Sequence, residues 1–134
     1  MKRDMVAGLI LEGKKLLLVH NTKYGGLRIE PPGGKKNKDE DWEQAVIREI
    51  KEELGLEVQP MKLLGTYDTQ SPEGDFSVRM YFCKIVSGSP TLLEPEKISQ
   101  FGWYDHKEIN DLARNGILVP NMRAALKDLG PYLS

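Results

Sequence analysis

The chain has 134 residues, a length that suits one domain with a buried core. Its net charge of −1 and its 29% of charged residues exclude a strong field that would attract a nucleic-acid polymer or an anionic membrane. No apolar stretch approaches the roughly 20 residues of a membrane span, and the N-terminal segment lacks the features of a signal peptide. We therefore expect a single domain over residues 1–134, a cytoplasmic location and no membrane partner.

The first half of the chain shows strand patterns separated by turns. Residues 6–11 and 15–20 are apolar runs on either side of Gly13, which predicts a hairpin. Residues 21–34 are rich in Gly and Pro, so we expect mostly loop around a short strand at 27–29.

A helix is predicted over residues 42–54. Asp41 followed by Gln44 is a capping-box pattern, and Gly55 is typical of the residue that ends a helix. Its periodicity gives an apolar face and, beside it, an exposed carboxylate face. The apolar face contains Val46, Ile47, Ile50 and Leu54, and the carboxylate face contains Glu49, Glu52 and Glu53.

The second half returns to strands and closes with helices. Residues 56–70 and 75–88 alternate with period two around a turn, and 87–100 is a predicted surface loop. A short strand at 101–105 and helices at 106–116 and 121–133 follow, and Cys83 lies in an apolar run that predicts a buried, unreactive thiol. This order predicts an α/β fold in which helices pack against a mixed sheet.

The carboxylate face has two explanations. Glu49 faces Glu52 and Glu53 at helical spacing, and each such like-charge pair costs a helix roughly 0.2–0.5 kcal/mol. A solvated acidic surface would tolerate that cost. A bound Mg²⁺ or Mn²⁺ would reverse it, since these ions prefer carboxylate oxygens.

The spacing around this helix decides between the two explanations. From Gly34, five residues lead to Glu40, and seven more lead to the run REIKEELGL at 48–56. This resembles the signature of the Nudix hydrolase family at every specified position. The resemblance implies an α/β/α sandwich in which helices enclose a mixed sheet. It also implies Mg²⁺-dependent hydrolysis of a nucleoside diphosphate linked to another moiety, with Mn²⁺ as a substitute.

The resemblance also implies roles for individual residues. Glu49, Glu52, Glu53 and the carbonyl of Gly33 would bind metal, and Glu52 and Glu53 are candidates for the general base. Arg48 would orient a carboxylate. Outside the helix, Glu40 would support the metal ligands, and Lys35 and Lys36 would hold phosphates. Glu94 or Glu96, on the loop before the last strand, is an alternative general base.

The substrate is less closely specified. We expect metal-activated water to convert a nucleoside triphosphate, ribo or deoxy, into the monophosphate and pyrophosphate. ADP-ribose or a sugar nucleotide is the alternative, because Pro72 resembles a marker of the ADP-ribose-cleaving branch, although a turn proline explains it equally simply. A binding module without catalysis is the second alternative. Homodimers are common in the family, and a homodimer is therefore one possible state of this chain.

Overall fold

A computed structural model describes residues 2–133 and confirms the α/β architecture. Its strands are β1 (Arg3–Glu12), β2 (Lys15–Asn21), β3 (Arg28–Glu30), β4 (Gly33–Lys35), β5 (Glu57–Ser71), β6 (Gly74–Ser87) and β7 (Ile98–Tyr104). Its helices are α1 (Trp42–Leu54), α2 (His106–Arg114) and α3 (Pro120–Leu129), and a 3₁₀ turn over Gly130–Tyr132 follows α3. None of these helices is both long and apolar enough to cross a membrane.

The sheet is mixed and is organised around β1. This strand runs parallel to β6 and antiparallel to β4, and β6 continues the sheet to β5 at its edge. The predicted hairpin between β1 and β2 is confirmed, but the two strands pair only at Leu11–Leu16 and Glu12–Lys15. Beyond those pairs β2 diverges to join β3 and β7.

Strand β4 was not predicted. Residues 33 and 34 fall in the Gly- and Pro-rich segment 21–34, which predicts mostly loop. Instead, Gly33 and Gly34 pair with Ala7 and Val6 of β1, a contact between segments far apart in sequence. Strand β7 likewise begins at Ile98, three residues before its predicted start, because its first residues pair with β2.

Helix α1 has the predicted bounds. The Asp41 side chain accepts a hydrogen bond from the Gln44 N–H, and the Gln44 side chain bonds back to the Asp41 N–H. Gly55 ends the helix with φ at 68°, a left-handed conformation that favours glycine. The helix is therefore held at both ends by the local signals that predicted it.

Two apolar cores lie on opposite faces of the sheet. Val46, Ile50 and Leu54 of α1 are fully buried in one of them. Helices α2 and α3 cover the other, where Ile109 and Met122 are fully buried. Cys83 is buried as predicted, and burial raises the pKa of its thiol to about 12.

Candidate functional site

Arg48 of α1 binds the carboxylates of Glu40, Glu49 and Glu52 in one hydrogen-bond network. Its Nε and Nη2 donate to the two oxygens of Glu40 at 2.9 and 2.6 Å. Its Nη1 donates to Glu49 at 2.8 Å and to Glu52 at 2.9 Å. Nη2 also donates to the carbonyl of Lys35 at 3.0 Å, so one guanidinium group ties the helix to β4 and to the loop between them.

The network sets the electrostatics of its members. Hydrogen bonding to Arg48 lowers the pKa of Glu40, and the same contact raises the pKa of Arg48. Burial raises the pKa of Glu49, although its bond to Arg48 opposes that shift. The repulsion expected among the glutamates is thus offset by one cation that touches two of them, Glu49 and Glu52.

Glu53 corrects the expectation of an exposed carboxylate face. Its side chain is 0% exposed, whereas that of Glu52 is 52% exposed. Its Oε1 accepts the Gly33 N–H at 3.1 Å, and its Oε2 accepts from Lys97 Nζ at 2.5 Å. Burial raises the pKa of Glu53, and the positive charge of Lys97 opposes that rise. The helix periodicity placed Glu53 correctly beside Glu49, but the strand that covers it comes from elsewhere in the chain.

Two glycines let β4 approach this face of α1. A Cβ on Gly34 would collide with the carboxylate of Glu49, and one on Gly33 would collide with the backbone of Val6. Any side chain at Gly34 would therefore push Glu49 away from the strand. Both glycines therefore permit the close approach of the backbone.

A cleft of about 200 Å³ opens beside the two glycines. Its lining combines cations and carboxylates with apolar side chains and a few buried polar groups. The charged residues include Lys23, Arg28, Lys35, Lys97, Glu30, Glu49 and Glu73, and the others include Met5, Phe76, Val78, Thr69 and Asn121.

The turn between β5 and β6 reaches across the mouth of this cleft. Glu73 in that turn bonds to Lys35 Nζ at 2.5 Å and to the hydroxyl of Tyr24, and it lies 3.5 Å from Lys23 Nζ. Hydrogen bonds from Lys35 and Tyr24 lower the pKa of Glu73 to about 2. Pro72 is the neighbouring residue of that turn.

The two lysines expected to hold phosphates are placed differently. Lys35 lines the cleft, where Glu73 is its partner. Lys36 Nζ instead donates to the Asn37 carbonyl and lies 5.4 Å from the ring centre of Trp42. Only Lys35 of the pair therefore faces the cleft.

Sequence reasoning missed two residues of the site. Lys97, in the loop before β7, binds the carboxylate of Glu53, and the role of Glu94 or Glu96 as an alternative base stays a prediction. Glu30 of β3 lines the cleft, accepts a hydrogen bond from Asn21, and has its pKa raised by burial. In the sequence, Glu30 is simply a charged residue before Pro31, and Lys97 is one just before a strand. Charged residues at such positions are too common to identify a site.

The donor chemistry of the site fits a hard divalent cation. Carboxylate oxygens are the ligands that Mg²⁺ and Mn²⁺ prefer, and both Glu49 and Glu53 border the glycines of β4. Within residues 2–133, however, no three His, Cys, Asp or Glu side chains converge closely enough to hold a metal ion. Arg48 and Lys97 bind the oxygens of these carboxylates instead.

The family of the chain follows from its sequence together with this fold and site. A model of the NUDIX domain matches residues 1–127, so the chain belongs to the NUDIX family. The fold agrees, because a NUDIX hydrolase from Nitrosomonas europaea superposes with a TM-score of 0.83 over 99% of this chain and 91% of that one, at 23% identity.

Curated relatives carry more than one name. YtkD of Bacillus subtilis, provisionally named an 8-oxo-dGTP diphosphatase, is 38% identical over 54% of this chain and 44% of its own length. An ADP-ribose pyrophosphatase of Methanocaldococcus jannaschii is 32% identical over 72% of this chain and 59% of its own. A Mycobacterium tuberculosis protein, provisionally named 8-oxo-dGTP diphosphatase 2, is 29% identical over 97% of this chain and 89% of its own. The chain thus spans about half the length of the first two relatives.

Proposed function

We propose that this protein is a single-domain, Mg²⁺-dependent pyrophosphohydrolase that converts a nucleoside triphosphate into the monophosphate and pyrophosphate. Mn²⁺ is expected to substitute for Mg²⁺. The observation that carries the proposal is the cleft, whose lining combines cations and Glu49 with apolar side chains and buried polar groups. These are the two chemistries that a nucleotide presents, a charged polyphosphate and a largely apolar base with a polar edge.

The cations that line the cleft support a polyphosphate. Lys23, Arg28 and Lys35 all line the cleft, and cations at such a site stabilise the charge of phosphate oxygens. Lys35 now binds the carboxylate of Glu73, so a phosphate would replace one anion with another at the same ammonium group.

The apolar and buried polar residues of the same lining support a nucleobase. Phe76 and Asn121 are nearly fully buried there, and the buried hydroxyl of Thr69 has no hydrogen-bond partner among the described residues. A buried polar atom without a partner is costly, and a ligand with a polar edge would remove that cost.

The roles of the acidic residues follow from their surroundings. Glu49, Glu52 and Glu53, with the Gly33 carbonyl, would hold the cation. When bound, such a cation neutralises phosphate charge and lowers the pKa of a water molecule. Arg48 keeps Glu49 and Glu52 in position and binds Glu40, which supports the loop before α1. Glu52 and Glu53 remain the candidates for the group that takes the proton from water.

ADP-ribose is the second candidate substrate. The M. jannaschii relative supports it, because it is named an ADP-ribose pyrophosphatase and is 32% identical to this chain. The two relatives provisionally named 8-oxo-dGTP diphosphatases support the triphosphate. Cytoplasmic location and homodimer formation stay predictions.

The proposal is tested with a panel of nucleotides. The purified protein is incubated with Mg²⁺ and each of the common (d)NTPs, 8-oxo-dGTP, ADP-ribose and a sugar nucleotide, and products are followed by phosphorus NMR. We expect a triphosphate to yield the monophosphate and pyrophosphate. Cleavage of ADP-ribose alone would favour the second candidate, and cleavage of no member would favour a binding module.

A further inference from the structure

Two backbone hydrogen bonds fix the position of Lys97 beside the cleft. Its carbonyl accepts the Thr22 N–H at 3.0 Å, and its N–H donates to the Glu94 carbonyl at 2.9 Å. Its side chain is 25% exposed and lines the cleft. The backbone is therefore fixed, while the long side chain keeps the freedom to change partner.

The present partner of that side chain is Glu53, whose two oxygens are both engaged. Lys97 Nζ binds Oε2 at 2.5 Å, and the Gly33 N–H binds Oε1 at 3.1 Å. The contact is a salt bridge, so the ammonium group of Lys97 is the cation that faces Glu53 in this structure. Glu49 and Glu30 add further negative charge around this pair.

A divalent cation at Glu53 would compete with this ammonium group. Mg²⁺ binds an oxygen at about 2.1 Å, so an ion on Oε2 would lie within about 5 Å of Lys97 Nζ at its present position. Two cations at that distance in a buried site repel strongly. The Gly33 N–H belongs to β4 and stays in place, whereas the Lys97 side chain is free to leave.

We propose that Lys97 is a positioning residue that holds Glu53 in place until a divalent cation displaces its ammonium group, which then binds a phosphate of the nucleotide. The inference rests on the proposed function, because it concerns the same cation and the same cleft. Lys97 lines that cleft together with Lys35, so the phosphates of a bound nucleotide are the next anions within its reach.

The test measures Mn²⁺ binding by electron paramagnetic resonance, using the full chain and three variants. Lys97→Met removes the competing charge, Lys97→Arg keeps it, and Lys23→Met removes a cation that lines the cleft but contacts Glu73 instead. We expect Lys97→Met to bind Mn²⁺ about tenfold more tightly, since it no longer breaks a charged hydrogen bond. Lys97→Arg and Lys23→Met should bind Mn²⁺ about as tightly as the wild type does. Lys97→Met should also raise KM for the nucleotide more than it lowers kcat.

A second measurement needs no variant. Amine acetylation of the wild-type protein is followed by mass spectrometry with and without Mn²⁺. We expect Mn²⁺ to accelerate modification of Lys97 severalfold and to leave Lys23 unchanged. This readout holds even if Lys97→Met does not fold.

Three results would overturn the inference alone, provided that the wild type binds Mn²⁺ and hydrolyses nucleotide. The first is unchanged or weaker Mn²⁺ binding by a folded Lys97→Met, and the second is equal tightening by Lys23→Met. The third is an acetylation rate at Lys97 that Mn²⁺ does not change. A wild-type protein that neither binds Mn²⁺ nor cleaves any nucleotide would instead overturn the proposed function, and this inference with it.

Discussion

The guanidinium group of Arg48 binds both carboxylate oxygens of Glu40, at 2.6 and 2.9 Å. The two residues are eight positions apart, and Glu40 also accepts the Asn37 N–H at 2.8 Å. This paired contact fixes the loop before α1 against the helix. The spacing between Glu40 and Arg48 therefore has a physical reason, because it lets Glu40 bind the same arginine that holds Glu49 and Glu52.

Replacing Arg48 should therefore affect both stability and activity. Arg48→Met would leave Glu40 and Glu49, whose side chains are 15% and 12% exposed, without their cation. We expect the free energy of unfolding to fall by about 1–3 kcal/mol, the cost of losing charged hydrogen bonds, and kcat to fall as well. Urea unfolding and nucleotide turnover measure the two effects.

Lys51→Met is the matched control for Arg48. Lys51 lies on the same helix and pairs with Glu57, but that pair is exposed. Its loss should change the free energy of unfolding by no more than about 1 kcal/mol and should spare activity. Equal effects of the two substitutions would contradict the special position of Arg48.

Glu53→Gln should reduce turnover and also destabilise the protein. The amide NH₂ would face either the Gly33 N–H or the Lys97 ammonium, so one hydrogen bond becomes a contact between donors. We expect a loss of about 1–3 kcal/mol in the free energy of unfolding and at least about a hundredfold loss in kcat.

Glu52→Gln provides the comparison, because that side chain is half exposed. It should alter the free energy of unfolding by less than about 0.5 kcal/mol. If Glu53→Gln left both stability and turnover at wild-type values, the buried position of Glu53 would have no functional meaning.

Local signals predicted helix α1 but could not predict what surrounds it. The capping box at Asp41 and the glycine at position 55 act within a few residues, so sequence alone fixed both ends of the helix. The burial of Glu53 depends on β4 and on Lys97, which lies 44 positions further along the chain. No periodicity within a helix reports contacts of that range, and for this reason both the strand and the lysine were missed.

Gly34→Ala should displace Glu49 from the strand. The new Cβ would collide with the Glu49 carboxylate, which is the far end of a flexible side chain, so we expect Glu49 to turn away with little loss of stability. We expect weaker Mn²⁺ binding and lower turnover, measured by paramagnetic resonance and by product analysis.

Gly26→Ala is the control for Gly34. A Cβ at Gly26 would meet no atom within 4 Å, so stability and turnover should stay at wild-type values. Normal Mn²⁺ binding by Gly34→Ala would show that the close approach of β4 to Glu49 is not needed.

Glu73 should make the stability of the protein depend on acid. Its bonds to Lys35 and Tyr24 lower its pKa from 4.5 to about 2, so the folded protein binds this proton less readily than the unfolded chain. The stabilisation is therefore fully present above pH 4.5 and is lost as the pH falls toward about 2. We expect Glu73→Gln to be less stable than the wild type at pH 6 and equally stable near pH 2, as measured by urea unfolding.

Asp68→Asn is the control for Glu73. Asp68 forms one exposed ion pair with Lys2, so its replacement should change stability by no more than about 1 kcal/mol. A difference between Glu73→Gln and the wild type that stayed constant from pH 6 to pH 2 would refute the assigned role of the Glu73 carboxylate.

The most direct test of the account is hydrolysis in water labelled with ¹⁸O. The wild-type protein is given Mg²⁺ and the triphosphate selected from the nucleotide panel, and the products are analysed by mass spectrometry. Hydrolysis by water that depends on a divalent cation predicts one ¹⁸O atom in the monophosphate or the pyrophosphate for each turnover. It also predicts no turnover when a chelator removes the cation. Failure to cleave any triphosphate, or cleavage that continues unchanged without a divalent cation, would contradict it.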